Sequence, residues 1–153
     1  MDMNPRAETL RSLVQLDYDA AEAYSAALER IQSPELARQL EAFRADHVRH
    51  VWLINGLLEK MGEPAAQPAP DLKGVVLRGF TATLSARSDE AALMAMVGNE
   101  GITNSTYRDV LELDWTPRER EVLARNYADE QRHLAWIRQA LALRSWEAEG
   151  LHP

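Results

Sequence analysis

Glu130 and His133 stand three residues apart in the stretch Ala128-Asp129-Glu130-Gln131-Arg132-His133-Leu134-Ala135-Trp136-Ile137. On a helix that spacing puts a carboxylate and an imidazole on one face about one turn apart, where both can reach a single metal ion. Such a pair alone is a weak signal, because it arises by chance in many helices. The chain repeats it. Laid against itself with His50 on His133, the sequence aligns without a gap as Ala45-Asp46-His47-Val48-Arg49-His50-Val51-Trp52-Leu53-Ile54. Asp46 then falls on Asp129, Arg49 on Arg132 and Ile54 on Ile137. The same register carries Asp17 onto Glu100, Tyr24 onto Tyr107, and Ser33-Pro34 onto Thr116-Pro117. A repeat of this kind reads as a duplicated helical hairpin.

Stepping along the chain gives the elements that hold these residues. From about Asn4 to Ile31, Leu10, Leu13, Val14, Asp17, Ala21, Tyr24, Leu28 and Ile31 recur at three- and four-residue steps, the stripe of a first helix. Ser33-Pro34 supplies a cap and a first-turn proline for a second helix, which runs to about Met61 and stops at Gly62-Glu63-Pro64. Its inward positions are Leu36, Leu40, Phe43, His47, His50, Ile54, Leu57 and Leu58. Ala65 to Asp71 is linker-like, and Leu72 to Ala86 reads as a shorter helix despite Gly74 and Gly79. Ser88-Asp89-Glu90 caps a third long helix reaching about Leu113, with Leu93, Met96, Val97, Glu100, Tyr107 and Leu111 inward. Thr116-Pro117-Arg118-Glu119 is a capping-box start for the fourth, which is expected to reach about Trp146. No strand pattern competes. The expectation is an all-α single domain over 1–153, with hairpins at 4–62 and 88–146 joined by a crossover at 63–87.

Six inward positions carry the chemistry: Asp17, His47, His50, Glu100, Glu130 and His133. They include three of the chain's four histidines; the fourth, His152, lies beyond the helices. Ionised carboxylates are almost never buried unless paired or metal-bound, and here three would meet at one level. No lysine or arginine lies on the inward stripes nearby to relieve them. A metal ion would, and mixed imidazole and carboxylate donors suit iron, manganese or zinc. Taken singly, each histidine would more often be a hydrogen-bonded core residue, and Asp17 a solvated or capping one. The matched register of all six is what argues for a metal.

Composition bounds the partners. A net charge of −7 argues against nucleic acid or an anionic membrane, either of which wants a basic face. There is no cysteine, so no disulfide, thiolate metal site or thiol catalysis. No apolar run or leader suggests a membrane span or export, and the expected location is cytoplasmic.

These residues resemble the ferritin-like superfamily of di-iron carboxylate proteins, which includes bacterioferritins, rubrerythrins and small bacterial bundle proteins. The resemblance implies a ferritin-like four-helix bundle with one long crossover, here containing the short extra helix. That architecture takes a carboxylate from each of two helices and Glu-x-x-His from each of the other two. Asp17 and Glu100 match the first pair, and Glu130-x-x-His133 is a complete motif. By the same resemblance, Asp46 and Asp129 would each hold a ligand histidine's other ring nitrogen. Tyr24 and Tyr107 read first as core aromatics; in an active site they would be hydrogen-bond donors to its carboxylates and the candidate catalytic side chains.

One departure stands out: the second helix reads His47-x-x-His50 where the family has Glu-x-x-His. A neutral imidazole cannot bridge two metals as that Glu does, and one negative charge is lost. Three outcomes are open: an altered two-metal site, a single ion, or no metal. The implied function is a metal-dependent oxidoreductase with two iron ions, or manganese or zinc, acting on dioxygen, peroxide or ferrous iron itself. The alternative is a non-catalytic stress or interaction bundle with a mononuclear or degenerate site. Haem is not expected, because Val48 lies where bacterioferritins carry their haem-ligating Met. Too few residues remain after Trp146 for a fifth helix, which counts against a storage cage. The resemblance also implies a homodimer, with Trp52 and Leu53, or Trp136, packing between helices or at the dimer face.

Overall fold

In the computed structural model, which describes residues 4–69 and 88–148, every long helix opens on the cap its sequence supplies. The Asn4 side chain accepts hydrogen bonds from the Arg6 and Ala7 amides and starts α1 (Pro5–Leu28). Ser33 does the same for Leu36 at the start of α2 (Pro34–Lys60), and Ser88 for Ala91 at the start of α3 (Asp89–Val110). Thr116 and Glu119 form a reciprocal capping box at the head of α4 (Pro117–Leu143). Prolines in the first turns of α1, α2 and α4 sit where a missing N–H costs nothing. Beyond α2, Gly62 takes the left-handed conformation at φ 78° that glycine adopts without strain.

The helix ends differ from the sequence expectation. α1 stops at Leu28 rather than Ile31, and α3 at Val110 rather than Leu113. The fourth helix does not reach Trp146: it ends at Leu143, because Arg144 turns left-handed at φ 48°. A separate four-residue helix follows, α5 (Ser145–Ala148), with Arg144 paired to Glu147 at 2.7 Å. The expectation that no fifth helix follows is therefore corrected. The short helix expected at 72–86 lies outside the described residues.

The architecture is a helical bundle, with no strand among the described residues. α1 packs on α2 and α3, and α4 packs on the same two. Cross-helix bonds fix the directions. Arg44 meets Ser25 near one end of the first hairpin, while Arg11 meets Glu63 at the other, so α1 and α2 run antiparallel. Tyr107 with Asn126 and Glu100 with His133 make α3 and α4 antiparallel in the same way. α3 begins beside the α1–α2 turn, where Asp89 accepts from the Gln32 and Ser33 amides. α2 ends at the opposite end of the bundle. Beyond it, Asn55 pairs with the backbone of Ala66, and Gln15 with that of Ala69.

The inward positions expected for α2 are its buried ones, all eight from Leu36 to Leu58. Leu28, Ile31, Val97 and Leu111 are only half-buried. Two apolar clusters fill the interior. One holds Tyr24, Leu36, Leu40, Phe43, Leu93, Met96 and Ile137. The other holds Leu10, Leu13, Val14, Ile54, Leu58, Tyr107 and Leu123. Between them, at one level of all four long helices, the apolar stripes are interrupted by the polar six. Trp136 packs on Phe43. Trp52 does not pack between helices: it lies on the outer face of α2 and is 74% exposed, near the half-exposed Val48. None of the described helices is long and apolar enough to cross a membrane.

Candidate metal centre

Asp17 from α1, His47 and His50 from α2, Glu100 from α3, and Glu130 and His133 from α4 are all fully buried and all meet. Their atoms make two overlapping groups: Asp17, His47, His50 and Glu130, and His47, Glu100, Glu130 and His133. Asp17 Oδ1 lies 2.8 Å from His47 Nδ1 and 3.1 Å from His50 Nδ1. Glu100 Oε1 lies 3.1 Å from His47 Nε2 and 3.2 Å from His133 Nδ1. Glu130 stands between the groups. Its Oε1 is 3.1 Å from His50 Nδ1 and its Oε2 is 3.7 Å from His133 Nδ1. Oε1 is buried and makes no hydrogen bond, an unusual state for a carboxylate oxygen.

Around the six lies a ring of partners that obeys the repeat. The Tyr107 hydroxyl donates to Asp17 Oδ2 at 2.5 Å, and the Tyr24 hydroxyl donates to Glu100. Each tyrosine thus serves the carboxylate of the other hairpin. The aspartates cross over too: Asp46 on α2 holds His133 Nε2 at 2.8 Å, and Asp129 on α4 holds His50 Nε2 at 2.9 Å. Both imidazoles therefore present Nδ1 to the interior. Arg49 and Arg132 each bind both aspartates, at 2.7–3.2 Å, and close the cluster towards solvent.

Sequence reasoning assigned no role to Arg49 and Arg132, although the repeat pairs them. It also missed Thr103, whose hydroxyl lies 2.9 Å from Glu100 Oε2 and 3.1 Å from Glu130 Oε2. Asn104 ties the backbones of Glu100 and Glu130, and Asn126 donates to the Tyr107 hydroxyl. Thr103 and Asn104 follow Glu100 by three and four residues, and Asn126 precedes Glu130 by four. Helical same-face spacing was the available signal.

Burial opposes charge on every member of the site, and pairing decides the outcome. For His50, burial is outweighed by Asp129, Asp17 and Glu130, which hold the imidazole at about 10. For His133, burial is outweighed by Glu100 and Glu130, giving about 9. His47 is likewise raised well above the usual value, against its burial, by Glu130, Asp17 and Glu100. Burial pushes Asp17 and Glu100 up, but their histidine bonds pull both below the usual carboxylate range. Glu130 is the exception, raised by burial. Burial and a neighbouring carboxylate raise both tyrosines well above their ordinary value, so each keeps its proton and donates.

A stability prediction follows for the protein stripped of metal. Histidines raised in the fold stabilise it fully below their unfolded value of about 6.5 and lose that contribution as pH climbs. The loss runs through about 9 for His133 and about 10 for His50. Asp17 and Glu100, lowered in the fold, contribute above about 4 and lose it as pH falls. Glu130 acts the other way, its ionised form costing stability that acid relieves. Urea unfolding in chelator is therefore expected to give its highest midpoint near pH 5–6 and a steady decline from about 7 to 10. A midpoint that rises over that range would contradict these pairings.

The family model for the domain of unknown function DUF2383 matches residues 6–113, well over half of the chain. The chain belongs to the DUF2383 family. The DUF2383 match spans α1, α2 and α3, and so includes Asp17, His47, His50 and Glu100; Asp129, Glu130 and His133 lie beyond it. No curated protein and no solved structure matches the chain.

Proposed function

We propose that this DUF2383 protein is a ferritin-like four-helix bundle holding two iron or manganese ions, and an oxidoreductase acting on dioxygen, peroxide or ferrous iron. The observation that carries the reading is the meeting of six buried donors in two groups that share His47 and Glu130. Imidazole and carboxylate donors suit these ions, and burial between two apolar clusters gives the dry surroundings such a site needs. Bound iron or manganese would supply the electrons for reduction of an oxygen substrate.

The chain's own residues do the rest. Asp17 and Glu100 are the outer carboxylates, each steadied by a hydrogen bond from a tyrosine hydroxyl. Asp46 and Asp129 fix the ring orientation of His133 and His50, leaving Nδ1 free for a ligand bond. The apolar clusters above and below exclude water. Replacing either aspartate with asparagine is expected to weaken metal binding about 10–100-fold, as outer partners of ligand histidines commonly do. Competition titration against a chelator dye measures it; an unchanged affinity in both variants would remove the aspartates from the site.

A second reading has its own observation. The three histidines and three carboxylates already neutralise one another through direct contacts. The bundle could then keep its site as an internal ion-pair cluster, in a non-catalytic protein. Oxygen consumption after anaerobic ferrous loading separates the two. Uptake that scales with added iron supports the oxidoreductase; tight binding without uptake, or no binding, supports the non-catalytic bundle.

A further inference from the structure

His47 occupies the position that a bridging carboxylate would fill, and its two ring nitrogens face different halves of the site. Nδ1 lies 2.8 Å from Asp17 Oδ1, and Nε2 lies 3.1 Å from Glu100 Oε1. Glu130 divides itself in the same way, with Oε1 towards His50 and Oε2 towards His133. The halves are thereby equivalent. One offers Asp17 Oδ1, His50 Nδ1, His47 Nδ1 and Glu130 Oε1. The other offers Glu100 Oε1, His133 Nδ1, His47 Nε2 and Glu130 Oε2. Each carries two nitrogens and two oxygens, and each outer carboxylate oxygen sits between two imidazole nitrogens.

We propose that His47 bridges two metal ions as an imidazolate, Nδ1 to one and Nε2 to the other. The inference rests on the metal-binding reading above and concerns how the ions are joined. Ring contacts single His47 out among the three histidines: Nδ1 meets Asp17 and Nε2 meets Glu100, whereas His50 and His133 turn Nε2 away to Asp129 and Asp46. Metal binding would release the ring protons of His47 to solvent, with no change of oxidation state. The histidine that seemed to disable the bridge thus restores its connectivity.

Geometry gives the readout. Bonds of about 2.0–2.1 Å from zinc to the opposite nitrogens of one imidazole hold the ions about 6 Å apart. Carboxylate- or oxygen-bridged pairs stand about 3.5–4 Å apart. The full chain, stripped of metal and reloaded with Zn²⁺, would be crystallised and the ions located by anomalous scattering. The copper-loaded protein would be measured in parallel by electron paramagnetic resonance. Two peaks about 6 Å apart with the His47 ring between them, and a copper signal weakened by exchange coupling, are expected. His47→Glu is expected to draw the peaks to about 3.5–4 Å. Two close peaks in the wild type, or one, would overturn the imidazolate bridge and leave the metal-binding reading standing. No bound ion in either preparation would overturn both.

Discussion

Replacing Glu130 with alanine is expected to empty the site. Glu130 is the one carboxylate shared by both ligand groups, so its loss takes a donor from each half at once. Metal content is expected to fall from about two ions per chain to near none in protein purified without chelator. The fold should survive, because burial raises Glu130 and its charge is a cost to the metal-free protein rather than a support. Helical circular dichroism close to wild type would confirm that. Glu130→Gln keeps the shape and loses the charge, and is expected to lose metal as well. Retention of wild-type metal in either variant would mean that Glu130 is not a ligand.

The largest stability effect is expected at Phe43. Its ring is fully buried and lies against His133, with centroids 4.3 Å apart and planes at 31°. It also meets Tyr24 and Trp136 edge-on, at 6.3 and 5.6 Å. Phe43→Ala would leave a cavity in the apolar cluster adjoining the site, at a cost of about 3–5 kcal/mol. In a chain of this size that lowers the thermal midpoint by roughly 10 °C, since each kcal/mol is worth a few degrees. Phe43→Leu preserves most of the apolar contact and is expected to cost less. A loss below about 1 kcal/mol in Phe43→Ala, measured by urea unfolding, would show that the neighbours close over the gap.

Much of this arrangement was legible in the chain because local rules and the repeat agree. Ser33-Pro34 and Thr116-Pro117 announce helix starts by side-chain chemistry alone, and the α2 stripe names its buried face residue by residue. The repeat then located all six central residues as three matched pairs, with His47 standing where Glu130 stands in the other copy. Helix ends were less legible. Arg144 breaks α4 without a glycine to mark it, while Leu141 and Trp146 continue an apolar rhythm past the break. The crossed bonds from Asp46 to His133 and from Asp129 to His50 depend on which helices lie side by side. Spacing within one helix does not contain that information. Nor could the sequence show that the two nitrogens of His47 face opposite halves, because ring orientation is set by Asp17 on one side and Glu100 on the other.

Elemental analysis of the wild-type protein, purified without chelator and normalised to chain concentration, tests the central claim most directly. About two iron or manganese ions per chain is the expected result, as two overlapping donor groups require. A chain that stays metal-free, and still binds none after anaerobic loading with Fe²⁺ and Mn²⁺, would contradict it and leave the buried cluster as an internal set of ion pairs.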